Sequence, residues 1–224
     1  MVEKFTIHGV LSVLLLSYAV SVNAIPINAH GGSHVTWNSI PFSFDGRYQQ
    51  IYSSGFFSAG FITSLSFAPA DSAIFSSDIT IKLSNTTVDI GGLSSNLDEN
   101  IASHQKTVMN EIAFTQSVTG GSPNDFSFVL DFSSSHFLYN PKHGNLLVDI
   151  TLSNTSYTSD IFRMSRSDGN GLLSRAWDNT GHGEGSDSLG LRTNIGFVAV
   201  PEPSILALMS VGLIGLIGFA RCKS

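Results

Sequence analysis

Charge is scarce in this sequence. Asp, Glu, Lys and Arg together supply 12% of its 224 residues, roughly half the share usual in a globular protein. Basic residues are the scarcer kind, 11 against 17 acidic, for a net charge of −6. Binding to phosphate backbones needs clustered Lys and Arg, so nucleic acid is excluded as a partner. Cysteine occurs once, as Cys222, two residues before the end. No disulfide can form within the chain, and the fold must be held by its core alone. No 3.6-residue apolar period is found outside the two termini, which argues against a helical domain. Catalytic signatures are missing as well: there is no Gly-x-Ser-x-Gly, no His-Glu-x-x-His and no phosphate-binding glycine loop. What remains is not a disordered chain, because 42% of residues are hydrophobic and 16 are Phe.

Between the termini the pattern is that of β-strands. Apolar residues alternate with polar ones in five places: Phe61, Thr63, Leu65 and Phe67; Ile79, Ile81 and Leu83; Phe126, Phe128, Leu130 and Phe132; Leu146, Val148, Ile150 and Leu152; and Leu189, Leu191, Ile195 and Phe197. This period of two marks half-buried strands. Shorter segments at 35–37, 40–44, 48–52, 108–114 and 161–164 are further strand candidates. Gly91-Gly92, the run Gly120 to Asp125 and Asn140-Pro141 supply turn chemistry between them. Many short antiparallel strands with one apolar face predict an all-β fold, a two-sheet antiparallel sandwich of jelly-roll type. Residues 165–188, rich in Gly, Ser and Asp, are expected to form one long mobile loop.

The two ends have a different character. Lys4 precedes an apolar run at 10–20, and Val22-Asn23-Ala24 places small residues at −3 and −1 of a cleavage site after Ala24. That order is a secretory signal peptide over 1–24, too short for an ordinary membrane span. At the other end, 204–220 holds no charge and is followed at once by Arg221 and Lys223. As a helix it would be about 25 Å long, just enough for a thin bilayer core. Arg221 and Lys223 would stay cytoplasmic, so the chain before residue 200 faces outward. The exported domain is then 25–199. Setting aside Glu3, Lys4, Glu202, Arg221 and Lys223 leaves 8 basic against 15 acidic residues, a net charge near −7.

Immediately before that helix stands Pro201-Glu202-Pro203. Two prolines fix φ and push their neighbours to extended geometry, a form that a processing enzyme can grip. A Pro-Glu-Pro motif, a short Gly-rich apolar helix and a basic tip resemble the PEP-CTERM sorting signal of Gram-negative, exopolysaccharide-producing bacteria, here over 200–224. The basic end departs from the family's run of arginines, reading Arg221-Cys222-Lys223-Ser224. The resemblance implies an exosortase as processing partner, acting near Pro201-Glu202-Pro203, with signal peptidase acting at the other end. It implies a precursor held transiently in the inner membrane and facing the periplasm, then a cell-surface or matrix protein. A second, broader resemblance links segments from Arg47-Tyr48-Gln49-Gln50 through Phe137 to Pro141 and Gly190-Leu191-Arg192-Thr193 to a β-sandwich domain recurring in PEP-CTERM surface proteins. It brings no catalytic residues with it.

Candidate sites are few. Asp98, Glu99, Glu111, Asp131, Asp149 and Glu184 could include the carboxylate pair of a glycosidase, but Asp131 and Asp149 fall on the polar phase of their strands, where a solvated face is expected. His30 and His34 flank a Gly-rich segment unsuited to a metal site. Asp168, Asn170, Asp178, Asn179, Glu184 and Asp187 offer oxygens of the kind Ca²⁺ prefers, but their spacing does not match Asp-x-[Asp/Asn]-x-[Asp/Asn]-Gly. No metal and no cofactor is therefore expected. Trp37, Trp177, Tyr48, Tyr52, Tyr139 and Tyr157 are mostly core or rim aromatics, with Tyr48, Tyr52 and Trp177 the candidates for glycan contact. Asn85-Thr86-Thr87 and Asn154-Thr155-Ser156 fit the glycosylation sequon by chance in a chain rich in Ser, Thr and Asn. The expected role is structural or interactive, within an exopolysaccharide matrix and without catalysis. A carbohydrate-binding module comes second and a glycan hydrolase third.

Overall fold

The computed structural model describes residues 25–31, 35–102 and 105–200. The segments read above as signal peptide and sorting helix lie outside them, as does His34. Fourteen strands follow in order: β1 (Ile25–Ala29), β2 (Val35–Asn38), β3 (Gly46–Tyr52), β4 (Gly60–Phe67), β5 (Ala73–Thr86), β6 (Lys106–Val118), β7 (Phe128–Asp131), β8 (Phe137–Tyr139), β9 (Asn145–Tyr157), β10 (Met164–Asp168), β11 (Leu173–Asn179), β12 (Gly183–Asp187), β13 (Leu189–Leu191) and β14 (Thr193–Ala199). Among the described residues the only helical turns are short 3-10 pieces.

Every strand pair is antiparallel, and the strands form three sheets rather than two. One runs β1-β14-β4-β7, with β8 also paired to β4. A second runs β12-β11-β3-β9-β5-β6. The third is small, β13-β10-β2. The alternation seen in the sequence explains the packing of the two large sheets. Ile79, Ile81 and Leu83 of β5 lie opposite Leu152, Ile150 and Val148 of β9, so one face of the six-stranded sheet is continuously apolar. Ile62, Leu65, Phe128, Leu130 and Ile195 of the five-stranded sheet join the same buried cluster. Phe128 sits at its centre, with ring centroids 4.9 Å from Phe42, 5.1 Å from Phe75 and 5.9 Å from Phe162. A fully buried Phe contributes about 1.5–3 kcal/mol, and each edge-on ring pair about 0.5–1.5 kcal/mol more. This aromatic centre holds a domain that has no cross-link.

The structure corrects the sequence reading in three places. Phe61, Thr63, Leu65 and Phe67 do not share one buried face. The pairing of β14 with β4 shifts between Gly196 and Phe197, so that Gly196 faces Ser64 while Phe197 faces Ile62. Thr63 is the extra residue of this bulge. The strand changes phase there, turning Ile62 inward and leaving Phe61 on the other side against the His136 ring. Residues 40–44 are a turn rather than a strand, although Phe42 is wholly buried and the Ser43 hydroxyl bonds the Phe162 carbonyl. Most substantially, 165–188 is no mobile loop. It contains the greater part of β10 and all of β11 and β12, with Asn170, Gly171, Gly181 and Gly183 at positive φ in the turns between them. β11 buries both of its faces, Leu173 and Arg175 on one and Ser174 on the other under the flap, which erased the apolar alternation that would have announced a strand.

Candidate functional site

The outer face of the six-stranded sheet is not open to solvent throughout. The segment between β5 and β6 folds back over it as a flap. Leu93 and Leu97 of the flap pack on Ile51, Leu147 and Ala176, making a second small core on that face. Beside it lies a buried polar cluster. In cross-strand register, Gln49 of β3 faces Asp149 of β9, and Asp149 faces Lys82 of β5. Asp149 is 2% exposed, so the solvated position expected for it is wrong. The flap covers the polar phase of the strand, which strand periodicity alone could not show. Arg47 neutralises the carboxylate in two-pronged fashion, Nε donating at 2.9 Å and Nη2 at 2.6 Å. Gln49 and Gln105 each donate an amide to Asp149 Oδ2 at 3.0 Å. The remaining Arg47 nitrogen, Nη1, reaches Asp98 on the flap at 2.7 Å. Arg47 thus fastens the flap to the sheet, and the Asp149 bonds outweigh its partial burial and push its pKa up. The sequence reading missed Arg47, although the order Arg47-Tyr48-Gln49-Gln50 already placed Arg47 and Gln49 on one strand phase.

Next to this cluster is a cavity of about 210 Å³ lined by Arg47, Ser95, Asn96, Asp98, Asp178 and Glu184. Asp178 and Glu184 face each other directly across β11 and β12, which brings their Cβ atoms within about 4.5–5.5 Å. Both are exposed. A second cavity, about 470 Å³, lies among the β4–β5, β6–β7 and β9–β10 connections, lined by Asp71, Ser72, Gly120, Ser159, Asp160, Ile161 and Arg163. There the Arg163 guanidinium grips the Asp71 carboxylate, Nη2 to Oδ1 at 2.8 Å and Nε to Oδ2 at 3.0 Å.

Two of the three proposed glycan-contact aromatics are removed by burial. Tyr48 and Tyr52 are each 1% exposed and have no free ring face to offer a sugar. The Tyr48 hydroxyl donates to Gln50 Oε1 at 2.5 Å, and the Tyr52 hydroxyl pairs with Thr193 Oγ1 at 2.6 Å. Burial pushes both phenols above their ordinary pKa. The alternation is correct, but Tyr is on the inward phase. Trp177 is half-buried, with the Arg175 guanidinium 5.0 Å from its ring. Arg175 is itself buried and holds Asp187 through Nε at 2.9 Å and Nη2 at 2.8 Å. Asp187 is therefore engaged, and among the described residues no group of three or more His, Cys, Asp or Glu could hold a metal ion. Of the sequon asparagines, Asn85 bonds the Asn140 carbonyl, while exposed Asn154 donates to Asp78.

Of the four carboxylates held below their ordinary range, two stand in part-buried ion pairs, Asp71 and Asp187. The Arg163 hydrogen bond holds Asp71 below the usual carboxylate range. Burial would raise Asp187, yet its bond to Arg175 and that residue's charge outweigh burial and hold it low as well. The unfolded chain then binds more protons than the folded one as the medium turns acid. The stabilisation is present above about pH 4 and lost as pH falls through the depressed folded values. Urea unfolding between pH 6 and 2 should show this loss. The double variant Asp71→Asn/Asp187→Asn should be less stable at pH 6 and show a shallower decline; an unchanged slope would remove the assignment.

A Cys-free body of several antiparallel sheets, its last strand ending at Ala199, defines an all-β protein with a C-terminal appendage. That appendage is a recognisable one. Residues 199–223 match the family described as the PEP-CTERM protein-sorting motif. The motif implies in general an exported protein, sorted while anchored in a membrane and processed by an exosortase. No curated protein and no solved structure matches the chain. Pro201, Glu202, Pro203, Arg221 and Lys223 lie outside the described residues. Val200, just before them, donates its N–H to the Ala59 carbonyl at 3.1 Å.

Proposed function

We propose that this is a structural or interaction protein of an extracellular polysaccharide matrix, which meets its polymer without changing it covalently. The observation that carries the reading is the sorting motif at 199–223, which continues without a spacer from β14. Export begins, in this reading, with removal of residues 1–24 by signal peptidase. It ends with cleavage near Pro201-Glu202-Pro203, which frees the domain from the segment 204–220 in the inner membrane and lets it pass toward the surface. Replacing Pro201 and Pro203 together by alanine should leave full-length protein in the inner membrane of the native host, measured by blotting of membrane and extracellular fractions. Normal processing of that variant would refute recognition at the motif.

The fold reading goes one step further, to a jelly roll. It is supported by strand order: β1-β14-β4-β7 opposite β3-β9-β5-β6 gives places 1-8-3-6 and 2-7-4-5 when those eight strands are counted along the chain. In that count β2, β8 and β10 to β13 are additions.

A carbohydrate-binding module is the second reading, favoured by the Asp71/Arg163 cavity. It presents an oriented ion pair, two serine hydroxyls and the exposed Ile161 side by side. Hydrogen bonds of this kind are worth about 0.5–1.5 kcal/mol each, so one copy binds weakly and many copies bind through effective concentration. Protein immobilised at high density should retain exopolysaccharide of the host, with the polymer's chain length unchanged after incubation. Shortening of the polymer that a single Asp or Glu substitution abolishes would establish an enzyme instead.

A further inference from the structure

The strands carry the chain to its sorting segment at one particular end of the molecule. Gly60 of β4 lies opposite both Ala199 of β14 and Tyr139 of β8. Ile25, the first residue of β1, lies opposite Phe197 at this same end. The Tyr139 hydroxyl donates to the Gly144 carbonyl, and Ser54 N–H donates to Asn145 Oδ1. Residues 54–60, 137–145 and Val200 therefore make up one end. At the other end of β4, Phe67 lies opposite Thr193 and Phe128, and Pro69 bridges to Met164. There the Asp71/Arg163 cavity opens. Seven residue steps along β4 separate the two ends by about 23 Å.

Chain length then limits how far the first end can stand from a membrane. Between Val200 and the apolar run starting at Ser204 there are only Pro201, Glu202 and Pro203. Four steps of extended chain reach at most about 14 Å. The headgroup layer of each leaflet takes up about 5–8 Å of that reach. While the segment is anchored, this end is held at the headgroups.

Its surface suits that place. Leu138 on β8 is 58% exposed and Val200 42%. Lys142 and His143 are exposed in the turn that follows β8, and Lys106 donates its Nζ to the His136 carbonyl beside them. Asp89 and Glu99 belong to the flap, whose Val88 carbonyl accepts from Asn145 Nδ2 and whose Asn100 carbonyl accepts from Thr86 Oγ1. We propose that residues 136–143 form a lipid-facing surface that rests on the anionic headgroups of the bilayer for as long as the sorting segment is attached. Leu138 enters the interface, Lys106 and Lys142 lie over the phosphates, and the Asp71/Arg163 cavity faces outward. The inference rests on the membrane-anchored sorting that the motif implies.

The test uses the full chain with Cys222→Ser and one added cysteine, either His143→Cys or Asp160→Cys, labelled with an environment-sensitive fluorophore. Each is reconstituted into vesicles of phosphatidylcholine with phosphatidylglycerol. The protein should float with the vesicles, and the label at 143 should shift to the blue relative to detergent-free protein cut at the motif. The label at 160 should not shift. Adding Leu138→Ser and Lys142→Glu should abolish most of the shift at 143, because each cation near an anionic surface is worth about fivefold in occupancy. Floating protein with no shift at 143, with a shift at 160 instead, or with a shift that survives the double substitution overturns the proposal alone. Protein that does not float overturns the anchored reading, and this inference with it.

Discussion

Phe128→Ala should lose about 3–5 kcal/mol of folding free energy, the cost of emptying a fully packed aromatic site. For a domain of this size each kcal/mol is worth about 2–4 °C, so the melting temperature should fall by about 6–20 °C. The reason is position rather than residue type. Phe128 is wholly buried and touches rings from both large sheets and from the 40–44 turn: Phe42, Phe67, Phe75, Phe114 and Phe162. No disulfide can compensate for the loss. Phe61→Ala is the comparison, because Phe61 has the same chemistry but is only half-buried, on the other side of β4. It should cost less than half as much. Equal melting temperatures for the two variants would show that the cluster around Phe128 is not the centre of the core.

Asp149→Ala should cost about 2–4 kcal/mol. Removing one member of a buried ion pair leaves the other charge without its partner, which typically costs 3–5 kcal/mol; the low end applies because the Arg47 side chain is 26% exposed. Gln49 and Gln105 lose an acceptor in the same step. The effect should have a local signature. With the Arg47 guanidinium no longer held by Asp149, the flap loosens, and amide exchange at 93–100 should accelerate before the strands respond. Asp98→Ala removes only the exposed arm of the same guanidinium and should change the melting temperature little. Urea unfolding of the two variants checks the ranking, and an Asp98→Ala loss as large as that of Asp149→Ala would overturn it.

These two sites differ in how visible they were beforehand. Phe128 belongs to a run, Phe126 to Phe132, whose alternation is plain, and its burial follows from the period of a strand. The full set of rings around it does not follow, because they come from five separate segments. Asp149 sits in an equally plain alternation, Leu146 to Leu152, yet its exposure was misjudged. Period two distinguishes the two faces of a strand but does not show what covers the second one. Tyr48 and Tyr52 are the same lesson in reverse: the sequence left both core and rim open for them, and the phase of β3 turns both rings into the core.

By itself the sequence determined that the protein is all-β, that no disulfide supports it and that its C-terminus carries a sorting motif. Those properties are local or compositional: the alternation of neighbouring residues, a count of cysteines and a contiguous motif at 199–223. Only the tertiary structure decided that a flap covers one sheet, that 165–188 is strand and that Arg47 and Asp149 meet from 102 residues apart. Such pairings depend on which strands become neighbours and in what register. That choice is made by the packing of the whole core, and no short window of residues contains it.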